Sequence, residues 1–245
     1  FDRAVSYFRE CVKEPEHPRF VQAQLRIGLC YLAKGDIPQA QTHWRKVLPE
    51  VQTQNTQVAN TIQLYQAGTE LYTGDIDSGL AALEGLHTDV PFSSELFNDV
   101  LEIQTLTDNG LQHQSPSDTA TMRQFFTGEF YLKRHKITEA QKAYLRITDI
   151  KQDAPIAPYA LLRSATLGKL LHQQEQVHGW LSAIIDSYPD SPVEDQVMFL
   201  LGEWYQEQQN FSKAISWYEQ ILIDHPGSIL TQQARQRIRQ LQQQT

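Results

Sequence analysis

A small residue, a second small residue twelve positions on and a large side chain four beyond that recur along this 245-residue chain. Gly28, Ala40 and Trp44 set the pattern; Gly128, Ala140 and Tyr144 repeat it, as do Gly202, Ala214 and Tyr218. Looser copies are Ala67, Gly79 and Leu83, then Ala165, Val177 and Leu181. Two antiparallel helices joined by a short turn approach closely only where a side chain is absent or tiny, so this spacing reads as a repeated helical hairpin. On that reading Gly28 meets Ala40 and Gly202 meets Ala214, with the large residue filling the space beside each crossing. Pro91, Pro189 and Pro226 stand eight residues beyond Leu83, Leu181 and Tyr218, where they end a second helix.

The turns inside the hairpins are equally regular. Ile37-Pro38, Ile76-Asp77, Ile137-Thr138 and Phe211-Ser212 each place an apolar residue before one suited to starting a helix, and Asp77, Thr138 and Ser212 are the expected caps. The intervals are 39 (37 to 76), 61 (76 to 137) and 74 (137 to 211). Two units of 37 account for the last, with Gln174 as a degenerate middle copy, and one repeat plus an insertion accounts for 61. The expected repeats are 21–54, 60–93, 121–154, 158–190 and 195–228, in one solenoid over 1–245. Residues 1–13 form a partial repeat ended by Pro15 and Pro18. Residues 94–118 supply an extra helix, broken at Asn109-Gly110, and a polar loop. Ser191-Pro192-Val193-Glu194 has the form of a capping box. The final helix, 229–245, keeps Ile229, Leu230, Ala234, Ile238 and Leu241 as an apolar stripe behind a Gln- and Arg-rich outer face, as an end cap requires.

Composition narrows the function. The net charge is −8 and the bases are scattered, which opposes phosphate binding; Arg235, Arg237 and Arg239 read as a solvated helix face, so no nucleic-acid partner is expected. Glutamines such as Gln206, Gln208, Gln209 and Gln242–Gln244 read as helical surface. No apolar run is long enough to span a membrane. Cys11 and Cys30 fall at core-facing positions, as two thiols or, in an oxidising compartment, as a bridge. His172 and His178 lie on different helix faces, and His135 and His225 fall near turns. No metal spacing, phosphate loop or nucleophile elbow appears, so no cofactor and no catalytic role are expected.

These residues resemble the tetratricopeptide repeat family, whose pattern covers nearly the whole chain. The resemblance implies an all-α fold, a right-handed superhelical solenoid of antiparallel helix hairpins with about 13 helices. It implies a protein or peptide partner, held in the concave groove lined by first helices. Carried over residue by residue, the groove candidates are Leu25, Leu29, Leu32, Leu64, Leu71, Phe125, Glu129, Leu132, Tyr159, Leu162, Phe199, Glu203 and Glu207. They run from apolar to acidic, which favours a ligand with basic residues at one end. The places at which one subgroup grips acidic chaperone tails hold Leu25, Leu29, Tyr65, Met122 and Phe126, none able to hold a carboxylate, so that function is rejected. The segment from Tyr188-Pro189-Asp190-Ser191-Pro192 to His225-Pro226-Gly227-Ser228 is similar to bacterial envelope proteins of the BamD and CpoB kind, implying a periplasmic or outer-membrane-associated scaffold. A docking module of a larger enzymatic or signalling protein is the alternative. Opening mid-repeat at Phe1, the chain reads as a fragment of a longer protein.

Overall fold

The computed structural model describes residues 1–13 and 16–243; in them the chain forms thirteen helices and no strand. The expected helix stop at Pro15 and the terminal Gln244 lie outside those residues. The helices divide between two compact units, Phe1–Ala143 and Tyr144–Thr245. The first contains α1 (Asp2–Cys11), α2 (Phe20–Lys34), α3 (Ile37–Gln54), α4 (Thr56–Thr73), α5 (Ile76–Asp89), α6 (Glu95–Gly110) and α7 (Pro116–Lys133). The division falls inside α8 (Ile137–Ile150). The second contains α9 (Ala157–Leu170), α10 (Gln174–Ser187), α11 (Glu194–Glu207), α12 (Phe211–Asp224) and α13 (Thr231–Gln242).

Five hairpin turns are built alike. The backbone N–H groups of Asp36, Asp75, Lys136, Gln173 and Asn210 donate to the carbonyls of Tyr31, Glu70, Tyr131, Gly168 and Tyr205, at 2.9 to 3.0 Å. The residue before each donor is left-handed: Gly35 and Gly74 at φ 88°, His135 at 56°, His172 at 57° and Gln209 at 59°. This turn satisfies the carbonyls that end each first helix and reverses the chain in two residues. The degenerate copy at Gln174 has the same turn and starts α10.

The second helices begin one residue earlier than expected, on Ile37, Ile76, Ile137 and Phe211 themselves. Their caps precede the apolar residue: Asp36 accepts from the Gln39 N–H (3.2 Å), Asp75 from Ser78 (3.1 Å) and Asn210 from Lys213 (3.2 Å). Asp77, Thr138 and Ser212 therefore sit in the first turn and do not cap. Ile37 and Ile76 are buried, so the turn that caps the helix also aims its first side chain into the core.

Two other local expectations change. Ser191 makes no capping box: Val193 precedes α11 without a side-chain cap, and the Ser191 hydroxyl accepts from the Val193 N–H at 3.4 Å. A reciprocal box forms instead at Ser115 and Asp118, with bonds of 3.1 and 3.4 Å. In addition, α6 continues through Asn109-Gly110, leaving only 111–115 as the connection to α7. Gly110 is there for close approach, since a Cβ on it would lie 2.0 Å from the Met122 sulfur.

The crossings use their small residues more directly than the spacing alone implies. A Cβ on Gly28 would stand 2.0 Å from Trp44 Nε1, and one on Gly202 would stand 2.5 Å from Tyr218 Cε1. The large ring itself, rather than Ala40 or Ala214, fills each notch. In the α4–α5 hairpin the glycine is on the second helix, where a Gly79 Cβ would meet Leu71 Cδ2 at 2.5 Å. Trp44, Tyr218, Leu71 and Leu83 are fully buried; each such leucine contributes about 1.5–3 kcal/mol.

At the C-terminal end, Ala234, Ile238 and Leu241 of α13 pack with Ala214, Tyr218 and Ile221 of α12. Ile229 is not in that stripe; it precedes the helix and is 90% exposed. Cys11 and Cys30 are free and half-buried rather than fully in the core, and burial pushes the Cys30 thiol upward.

Candidate protein-binding faces

In the first unit Leu25, Leu32, Leu71 and Phe125 are core residues, between 0% and 8% exposed. Helix α1 packs on α2, while α4 and α6 both pack on α7, closing over the side of α7 that carries Met122 and Phe125. Leu29, Leu64, Glu129 and Leu132 remain half-buried, with part of each side chain at the surface.

Around Leu29 lies an aromatic and cationic face that the groove candidates did not include. Tyr65 stacks on Trp44 at 5.7 Å and 22°, and Lys133 Nζ lies 5.7 Å from the Tyr65 ring centre. Tyr72 stacks on Phe130 at 5.4 Å and 27°, and the Arg134 guanidinium lies 5.4 Å from Phe130. Leu29, Tyr65, Tyr72 and Phe130 all pack on one core cluster without being fully covered. Burial, and then the charge of Glu129, push the Tyr72 hydroxyl far above the ordinary tyrosine range, so it stays protonated.

Two arginines set the position of α7 in this face. Arg123 Nε donates to the Gly74 carbonyl at 3.1 Å, and Arg134 Nη2 donates to the Lys34 carbonyl at 3.3 Å. Each therefore grips the end of an earlier first helix, where the carbonyl ends attract cations. These bonds span 49 and 100 residues, and nothing in the local spacing announces them.

In the second unit Phe199 is buried, Tyr159 and Leu162 are half-buried, Glu203 is half-buried and Glu207 is exposed. Lys169 Nζ lies 3.0 Å from Glu203 Oε2 and 3.9 Å from Glu207 Oε1, and Arg237 Nη2 lies 3.5 Å from Glu203 Oε1. The two carboxylates are thus paired within the chain and do not form an open acidic end. Partly exposed pairs of this kind are worth about 0–1 kcal/mol each, so their main effect is on surface charge. Arg237 turns inward to this network, while Arg235 and Arg239 stay exposed.

The histidines serve packing and turns. His178 lies against the Trp204 ring at 4.4 Å, with Nε2 3.2 Å from the Tyr205 hydroxyl. His225 Nε2 lies 3.4 Å from Glu194, and the Tyr188 hydroxyl donates to the Gln152 carbonyl at 2.5 Å. Tyr188 and His225 each precede a proline; Tyr188 reaches back to the connection between α8 and α9, and His225 to Glu194, the first residue of α11. Among the described residues no group of three or more His, Cys, Asp or Glu is placed to hold a metal ion. No helix among them is long and apolar enough to cross a membrane.

A tetratricopeptide repeat family model matches residues 22–48 and 196–228. No curated protein sequence matches the chain. Among solved structures, a thermophilic tetratricopeptide repeat protein of Thermus thermophilus is similar at 14% identity, over 90% of this chain and 98% of that one, with a TM-score of 0.40. A tetratricopeptide repeat protein of Parabacteroides merdae is 12% identical over 97% of this chain and 91% of its own, with a TM-score of 0.42. Pseudomonas aeruginosa PilF is 14% identical over 92% and 97%, with a TM-score of 0.37. The segments that match the tetratricopeptide repeat model lie one on α2–α3 and one on α11–α12, one in each compact unit.

Proposed function

We propose that the chain is a non-enzymatic scaffold that binds a protein segment on the first-helix face of its N-terminal unit. One observation carries this reading: Leu29, Tyr65, Tyr72 and Phe130 lie on three successive first helices, pack on one core and keep part of their apolar surface open. Aromatic rings with polar tips, flanked by Lys133, are the side chains that anchor protein interfaces at low entropic cost. The partly open leucines Leu64 and Leu132 extend the same reading. A bacterial envelope setting is supported by the likeness of residues 188–228 to the BamD and CpoB kind of repeat; the full-length gene decides between that setting and a module of a larger enzyme.

Capture from native extract followed by mass spectrometry identifies the partner. Leu29→Gln and Lys133→Glu, both at partly open or exposed positions, should then weaken its binding with an unchanged melting temperature. Phe125 is unsuitable for this test, because a polar residue at a fully buried site unfolds the helix it belongs to. Full retention of the partner by both folded variants would remove this face from consideration.

A further inference from the structure

The charge of the chain is concentrated. Residues 47–122 hold eleven Asp and Glu and no Lys or Arg, whereas the remainder holds twenty-one bases against eighteen acids. This stretch builds α4, α5 and α6, all within the first unit. Helix α6 has no counterpart elsewhere in the repeat order: α3 leads to α4 through Asn55 alone, and α10 leads to α11 through residues 188–193.

Along α6, Asp99, Leu101, Glu102 and Asp108 are exposed, Leu101 at 44%; the seven-residue spacing of Leu101 and Asp108 puts these two on one side of the helix, and Asp99 falls on another. Just before the helix, Phe92 is 84% exposed. Its ring rests on Phe97 at 4.7 Å, and Phe97 is in turn stacked by His87 at 4.9 Å. The Ser94 cap, accepting from the Phe97 N–H at 3.2 Å, fixes the connection that presents Phe92. An aromatic ring held on an ordered base and left in solvent, in a stretch whose Lys and Arg count is zero, is an unpartnered apolar face with one sign of charge.

We propose that the α5–α6 face is a second docking surface, for a basic amphipathic protein segment that covers Phe92 and Leu101 with apolar side chains and sets Lys or Arg against Asp108 and against Glu84, which is exposed on α5 one helical turn before His87. The charge selects this occupant. Polyanions such as nucleic acid and anionic bilayers are repelled by it, while a cationic segment is steered in and gains apolar burial on contact. The first-helix face with Lys133 and Arg134 has the opposite local charge, so the two faces select different partners.

The test uses the full chain and a fluorescent helical peptide of Lys and Leu, with a Glu-for-Lys peptide of the same pattern as control. The Lys peptide should bind with an affinity that falls as salt rises, and the Glu peptide should not bind. Glu84→Lys with Asp108→Lys should weaken binding about tenfold or more, and Phe92→Ser should weaken it with no change in salt dependence. All three sites are exposed, so melting temperatures should hold. Glu175→Lys with Glu219→Lys, an equal charge change at exposed sites of the second unit, should leave binding intact. If the second-unit reversal weakens binding equally, or Phe92→Ser has no effect, the attraction is general and the docking surface is refuted. Absence of binding to the Lys peptide refutes it as well.

Discussion

The indole of Trp44 occupies the space where a side chain on Gly28 would stand: a Cβ there would be 2.0 Å from Nε1 and 2.1 Å from Cε2. The indole N–H is directed at the Leu25 carbonyl, 3.4 Å away, so the ring is held at its polar edge as well as by packing. Tyr218 has the same relation to Gly202, its hydroxyl 3.4 Å from Gln206 Oε1. A glycine inside a helix ordinarily weakens it, yet here it admits the largest buried side chain of its cluster.

Glycine-to-alanine changes should therefore divide by position. Gly28→Ala forces the indole out of its notch and should cost about 1–3 kcal/mol, the range for overpacking a dense core. Gly85 and Gly179 lie inside α5 and α10, where an added Cβ would meet nothing within 4 Å, so alanine at either should stabilise by about 0.5–1 kcal/mol. Denaturant titration of the three variants checks the contrast, and equal effects would contradict the packing described.

The hairpin turns give a second contrast at one repeated position. Gln209 is left-handed at φ 59°, a conformation L-residues adopt at a cost, and Gln209→Gly should stabilise by about 0.5–1 kcal/mol after the entropy of the unfolded chain is counted. The reverse change at the equivalent turn, Gly35→Ala, meets both φ 88° and a Cβ contact of 2.7 Å with Arg134 Cζ. It should destabilise by about 1–3 kcal/mol. Thermal melts of both variants should move in opposite directions.

His43 should make the chain sensitive to mild acid. Burial, first, and the nearby charges of Arg9 and Lys46 press its pKa below the ordinary value, against the opposing bond from Nε2 to the Gln24 carbonyl at 2.9 Å. Tyr31 faces the ring edge-on at 6.3 Å. The neutral ring is the folded form, with Nε2–H donating, so the unfolded chain takes up a proton more readily. Stability from this site is complete above about pH 6.5 and falls as the pH drops toward the depressed folded value. His43→Gln should flatten that part of a stability-against-pH curve; an unchanged slope would place the acid sensitivity elsewhere.

The period of the repeat was legible because glycine, alanine and a ring at fixed spacing report a close crossing of neighbouring helices. Local signals also located the turns to within a residue or two. They misplaced the caps because Asp36 and Asp75 serve the turn and the helix at once, and an apolar residue follows each. The candidate binding face was less legible. Leu25, Leu32, Leu71 and Phe125 share helical phase with the groove yet are core residues: Leu71 packs at Gly79 of its own hairpin, while α7, which carries Phe125, is covered by α4 and α6, and that second covering is set by contacts distant in sequence. Glu203 looked like open acidic surface because its partners, Lys169 and Arg237, stand 34 residues away in either direction. Tyr72 and Phe130 meet across 58 residues, which no repeat spacing encodes.

The end of the second unit gives the last prediction. Tyr218 and Ile221 are fully buried, and the residues covering that side include Ala234, Ile238 and Leu241 of α13. The remainder of α13 is Gln and Arg, with Arg235 and Arg239 exposed, so the helix offers solvent a polar back. Removing residues 231–243 exposes the apolar side of α12 and also frees Glu203 from Arg237, leaving it with Lys169. The truncated chain should melt lower, bind a hydrophobic dye and self-associate as concentration rises, because an uncovered terminal repeat presents a contiguous apolar patch. Replacing only Arg235 and Arg239 by Gln should do none of this, since both point to solvent. Sedimentation of the two proteins separates the outcomes: a truncated chain that stays monomeric and dye-free would mean that α13 is not the cover on this core.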